Sequence, residues 1–159
     1  MRIGITGHQE LNDPAAWTWV RSMLRHEVGG ATLPLVGVTS LAVGTDQLFA
    51  RVVLDLGGSL LAVLPFADME RSFSPEHLYA YRELVKKASV EVLTTSGSDE
   101  DAYFAAGQRV VDLSDRILAV WDGGPAKGKG GTADIVSYAL QRGVSLAHIN
   151  PVSRCVRHN

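Results

Sequence analysis

The chain has 159 residues, 46% of them hydrophobic and 20% charged, which suits one domain with a single sizeable core and excludes a disordered chain. A formal net charge of −2 argues against a broad nucleic-acid-binding surface, so nucleic acid is a disfavoured partner and only a local basic groove stays open. The only cysteine, Cys155, excludes a disulfide framework, and the absence of an apolar run near about 18 residues or of a signal segment in MRIGITGHQE leads to the expectation of a cytoplasmic protein with no membrane partner.

Arg2 to Thr6 (RIGIT) reads as a first strand, broken by Gly7-His8. Asp13 and Pro14 suit the cap and first position of a helix whose inner face carries Trp17, Val20, Leu24 and Val28. Leu35 to Thr39 is a second strand, and Ser40 to Asp46 (SLAVGTD) leads into a helix ended by Gly57-Gly58. Ser59 to Leu64 is a third strand, closed by Pro65. Pro75 opens a helix to about Lys87, and Val90 to Thr94 is a fourth strand. Ser98 or Asp99 can cap a helix running through Leu113. Ile117 to Trp121 is a fifth strand, followed by a loop of Asp, Gly, Pro and Lys that neither helix nor strand would tolerate. Gly130-Gly131-Thr132 then opens a helix with Ile135, Val136, Ala139 and Leu140 inward. Ser145 to Ile149 is a sixth strand.

Apolar strands alternating with amphipathic helices specify a parallel sheet covered on both faces. The expected fold is α/β, a single Rossmann-like three-layer domain with a mainly parallel six-stranded sheet, spanning residues 1–151, with 152–159 as a loosely ordered tail. In such sheets ligands bind beyond the carboxyl ends of the strands, where strand order reverses. That rule gathers four turns at one rim: Thr6-Gly7-His8, Ser40 to Asp46, Thr95 to Ser98 and Gly128 to Thr132.

Strand, glycine loop and helix in succession turn free backbone N–H groups toward an anion, so the start of the last helix is the expected floor of a phosphate pocket. Gly44-Thr45-Asp46 is a possible second cradle. The expected ligand-binding set is Thr6, Gly7, His8, Ser40, Gly44, Thr45, Asp46, Gly130, Gly131 and Thr132. Lys127 and Lys129 can bring positive charge to a phosphate. TGHQEL lacks the G-x-G-x-x-G dinucleotide fingerprint, and GKGGT is not a Walker A loop, so neither hydride transfer nor P-loop chemistry is favoured. The histidines His8, His26, His77, His148 and His158 have no metal-ligand spacing, which predicts no metal, and no cofactor is required. Trp19 and Tyr79 are candidates for a partner surface.

Five segments occur in a telling order: TGHQ, SLAVGTDQLFA, AVLPF, VVDLSDRILAVWDG and GGTADIVSYA. Together they resemble the SLOG superfamily of Rossmann-like nucleotide-binding proteins, and within it the YpsA-type branch. The superfamily also holds the DNA-processing protein DprA, the Lonely Guy phosphoribohydrolases and nucleotide-sensing domains of antiphage systems. The resemblance implies a nucleotide or nucleotide-derived ligand, of ADP-ribose or nucleotide-sugar type, with phosphate over the Gly130–Thr132 helix start, and implies a homodimer. The alternative it raises is an N-glycosidic hydrolase acting on nucleoside monophosphates. Lonely Guy enzymes carry P-G-G-x-G-T-x-x-E with an arginine on the preceding helix. Here the glutamate position falls on Ile135, with Asp134 one residue early and so about 100° around the helix. The arginine position falls near Ala106, with Arg109 a turn later. The remaining catalytic candidates are Asp46, Asp134, Arg109 and His8. The expected function is binding or sensing, because the pocket-forming features are present and the catalytic ones are displaced.

Overall fold

The computed structural model describes residues 1–159. In chain order it contains β1 (Arg2–Gly7), α1 (Ala16–Gly29), β2 (Val36–Thr39), α2 (Thr45–Asp55), β3 (Ser59–Leu64), a 3-10 turn (Met69–Ser72), α3 (Pro75–Val85), β4 (Ala88–Val92), α4 (Asp99–Asp112), β5 (Arg116–Val120), α5 (Thr132–Gln141), β6 (Ser145–Asn150) and β7 (Cys155–His158). The strands form one sheet in the order β4-β3-β2-β1-β5-β6-β7, parallel except for β7. The α/β three-layer fold is therefore as expected, with seven strands rather than six.

The extra strand corrects the reading of the C-terminal tail. Cys155–His158 is polar and short, so it carries no apolar alternation to read, yet it pairs antiparallel with β6, Ile149 opposite Val156. A turn held by Asn150 makes the reversal: its side-chain oxygen accepts from the Val152 and Ser153 amides at 2.9 and 3.0 Å. At the other end of the chain, α1 begins at Ala16, later than the Asp13-Pro14 signal suggests. The Asp13 carboxylate accepts from the Ala15 amide at 3.0 Å, two residues on, and so closes a turn ahead of the helix instead of capping it.

The core divides by sheet face. On one side α1, α2 and α3 cover Ile3, Ile5, Leu60, Ala62 and Leu118, with Phe49 fully buried among them. On the other, α4 and α5 pack on Val38, Val63, Ile117 and Ala119. Trp19 is half-buried against the first of these clusters rather than free on the surface, whereas Tyr79 is 72% exposed. No helix is long and apolar enough to cross a membrane.

Strand order reverses between β1 and β5. From β1 the chain builds outward through β2, β3 and β4, then returns to β1's other side and continues to β6 and β7. Gly7 at the end of β1 lies in register with Val120 at the end of β5, so the two loops that follow diverge from one point. A crevice at that point follows from the topology alone.

Candidate functional site

The crevice holds a cavity of about 500 Å³. Its walls come from the loop after β1 (Gly7 to Glu10), the start of the loop after β2 (Ser40 and Ala42), one face of α4 (Glu100, Tyr103, Gly107), and the loop from Trp121 to Ala133. Three of the four turns expected at this rim are present. The Thr95–Ser98 turn is not among them: it borders a separate groove with Phe66 and Arg71, because Ser98 is spent capping α4.

The start of α5 carries the most distinctive backbone. Gly130 has φ +82°, and a Cβ there would come within 3.0 Å of the Phe104 backbone, so the loop lies directly on α4. Its amide donates to the Asp134 carboxylate at 2.9 Å. Asp134 thus folds back on its own loop and does not line the cavity, which removes it from the catalytic candidates. The next three amides, of Gly131, Thr132 and Ala133, have no acceptor within the protein, and all three residues line the cavity. These are the orphan donors of a helix N-terminus, where the partial positive charge of the helix also resides. Lys129 is paired with Asp101, whereas Lys127 lines the cavity without an ion-pair partner.

Gly44 and Thr45 do a different job from the one expected. Gly44, at φ +83°, lies so close to Gln9 that a Cβ would fall 2.2 Å from its carbonyl oxygen. The Thr45 hydroxyl donates to the His8 carbonyl at 2.8 Å, and Thr45 is fully buried. Both residues lock the loop after β1 onto α2, and neither lines the cavity. Asp46 does line it. Its carboxylate accepts from the Thr39 hydroxyl and the Ser40 amide, each at 3.0 Å. Burial pushes its pKa up to about 6, and the Thr39, Ser40 and Ala42 donors offset part of that rise.

His8 stands at the mouth. Its amide donates to the Val120 carbonyl at 3.1 Å, and its Nε2 lies 3.3 Å from the Asp122 carboxylate. Asp122 also accepts from the Gly124 amide at 2.8 Å; that amide first, and His8 after it, hold the Asp122 carboxyl below its usual range. β6 braces this segment from behind, with His148 against the Trp121 carbonyl at 2.7 Å and Asn150 donating to the Asp122 carbonyl at 3.2 Å. Tyr103, Glu10 and Glu100 line the cavity, and Asp122 borders it through His8; the motifs did not single out any of the four. Asp122 was within reach of the same rule that selects His8, since each lies just past the end of a strand flanking the switch point.

Arg109 is placed elsewhere. It pairs with Glu91 of β4 at 2.8 Å and borders a groove on the outer side of α4. Ala106 is buried in the core, and Ile135, at the glutamate position of the hydrolase pattern, is 3% exposed with its side chain filling the space beside Gly107. No group of three or more His, Cys, Asp or Glu is arranged to hold a metal ion.

No protein-family model matches the chain, and neither does any curated protein. Solved structures do match. DNA processing protein A (DprA) from Streptococcus pneumoniae aligns with a TM-score of 0.68 at 15% identity, over 92% of this chain and 49% of that one. DprA from Helicobacter pylori, described for its single-stranded DNA binding mode, gives 0.65 at 14% identity over 92% and 63%. The fold is therefore shared with DprA. The Moco carrier protein of Chlamydomonas rheinhardtii gives 0.52 at 16% identity over 92% and 74%. The chain therefore spans about half of one DprA chain and under two thirds of the other. The comparison also overturns the reading of nucleic acid as a disfavoured partner, because a protein described for its single-stranded DNA binding shares this fold. Whole-chain charge is the wrong measure: a phosphate responds to the charged and polar groups within a Debye length, about 8–10 Å, which here include Lys127 and the α5 amides as well as Glu10 and Glu100.

Proposed function

We propose that this chain, as a member of the YpsA-type branch of the SLOG superfamily, binds a nucleotide-type ligand in the switch-point cavity. The phosphate sits on the Gly131, Thr132 and Ala133 amides. The observation that carries this reading is that those three donors lack internal acceptors and border a cavity at the strand-order switch. Lys127 adds a free cation at the same wall. Relatives by fold named for carrying a ligand and for binding single-stranded DNA support a binding role over a catalytic one.

Against hydrolysis of an N-glycosidic bond stands the lack of a poised carboxylate. Ile135 replaces the glutamate, Asp134 is turned onto Gly130, and Arg109 is held by Glu91. Asp46 is the one buried acid in the cavity, and its Oδ2 is engaged by both Thr39 and Ser40.

The test uses the backbone itself. Thr132 is the first residue of α5, and Gly131 before it already has φ −64° and ψ 169°, the extended conformation a following proline demands. Thr132→Pro therefore leaves the helix intact while deleting one amide donor, and Thr132→Val keeps the amide but removes the hydroxyl. By calorimetric titration with AMP, Thr132→Pro is expected to bind about tenfold or more weakly, the loss of one charge-assisted hydrogen bond, with Thr132→Val close to wild type. Equal binding by Thr132→Pro would remove the phosphate from this helix. Release of free adenine during the titration would replace binding with hydrolysis.

A further inference from the structure

A second cavity lies next to the first, across His8. It has a volume of about 380 Å³ and opens between the loop after β1 and the β6–β7 turn. Leu11, Ala16 and Pro151 give it one apolar side, and Asn12, Asp13, Asp122 and Arg154 also line it. His8, Glu10 and Lys127 line both cavities, so the two are neighbours separated by these side chains. Each is within the size range of a small-molecule site, about 300–1,000 Å³, and each is lined mainly by polar and charged residues, as a polar ligand needs.

Arg154 is the unusual member. It has φ +55°, a left-handed conformation that costs an L-residue free energy and that glycine adopts freely. The turn fixed by Asn150 imposes this conformation and presents the side chain to the cavity wall. Its guanidinium lies 5.7 Å over the Trp19 ring and reaches the Asp13 carboxylate only at 3.5 Å, the long limit of a hydrogen bond. A cation held so loosely can turn toward a ligand without leaving a buried acid unpaired. The first cavity thus has its anion donors at the α5 start, the second has Arg154, and the wall they share has Lys127.

We infer that the two cavities form one cleft for two linked nucleotide units, an inference that rests on the nucleotide reading above. One unit places its phosphate on the α5 amides. The linking phosphate passes Lys127 and His8, and the second unit lies against the apolar side formed by Leu11 and Pro151, with Arg154 beside it. A free dinucleotide and a stretch of single-stranded nucleic acid both present this chemistry.

The experiment titrates the intact chain, at one salt concentration, with AMP, NAD, a 5′-phosphorylated diadenylate and a short oligothymidylate. It compares wild type, Arg154→Gly, which relieves the backbone while deleting the guanidinium, and Val152→Trp, which fills the second cavity from its exposed rim. Two-unit probes are expected to bind wild type at least about tenfold tighter than AMP, as linked sites do. Both variants are expected to lose that gain while keeping wild-type affinity for AMP. A gain largest for NAD or diadenylate assigns the site to a free dinucleotide, and one that grows with the oligothymidylate assigns it to a single strand. AMP binding with no gain for any two-unit probe, or a gain that survives both variants, overturns the inference and leaves the nucleotide reading standing. No binding of any probe removes both.

Discussion

Asp46 occupies the first turn of α2 with its carboxylate turned inward to Thr39 and Ser40. Since burial raises its pKa to about 6 from an ordinary 3.8, the folded chain keeps a proton over that interval which the unfolded chain has already lost. Its contribution to stability therefore falls as pH rises from about 4 to 6 and stays at its lower level above that. Asp46→Asn retains an oxygen for the Thr39 and Ser40 donors and has nothing to titrate. Relative to this variant, the wild type is expected to lose about 1–3 kcal/mol of unfolding free energy between pH 4 and pH 7, read from urea denaturation at each pH. A constant difference between the two proteins would mean that Asp46 is ionised throughout. The same few residues show what a local motif conceals. Gly44-Thr45 before a helix has the composition of an anion cradle, and only the arrival of Gln9 from another loop, pressed onto Gly44, makes it a packing device. That contact spans dozens of residues and leaves no mark in SLAVGTD. Asp134 differs, because its bond to Gly130 is four residues long and was open to a sequence argument.

The helices and inner strands were readable because each carries its own punctuation. Pro75 opens α3, β3 runs as an uninterrupted apolar stretch, and α4 has a full capping box in which Ser98 accepts from the Asp101 amide and Asp101 from the Ser98 amide. β7 was not readable, since its pairing uses backbone groups and its side chains alternate between no two environments that composition would reveal. The α4 cap also bears on the site. Asp101 pairs with Lys129 of the glycine loop, so one carboxylate ties the helix start to the wall of the cavity. Ser98→Ala is expected to lower stability by about 1 kcal/mol, the usual worth of such a cap, with a matching shift in the thermal midpoint. An unchanged midpoint would show that the Lys129 pair alone holds the end of α4. Arg109 is the element-scale miss: its place on the helix was read correctly, but the Glu91 that takes it away from the cavity lies on a strand whose position in the sheet was unknown.

At the scale of the whole molecule, alternation of strand and helix specified the layers without specifying the strand order. The location of the cleft depends on that order, because only the reversal between β1 and β5 makes His8 and Asp122 neighbours. Lateral order is set by which crossovers bury the most apolar surface, a sum over the entire chain that no single segment records. Charge suffers the same limitation. A balance of −2 describes the molecule, while a ligand meets the particular groups of one cavity: Lys127 and three bare amides, together with Glu10, Asp46 and Glu100.

The sheet ends differently on its two sides. Both β7 and β4 are edge strands, but β7 ends its margin with polar, charged side chains, Arg157 and His158 among them, whereas β4 leaves Val90 and Val92 47% and 43% exposed. An open strand with apolar side chains is a template for another chain, so fibril-like or amorphous growth on warming should nucleate along β4. Val90→Lys, which puts a charge on that strand, is expected to lengthen the lag before turbidity appears in a heated concentrated solution, while a lysine on β7, as in Val156→Lys, is expected to have no such protective effect.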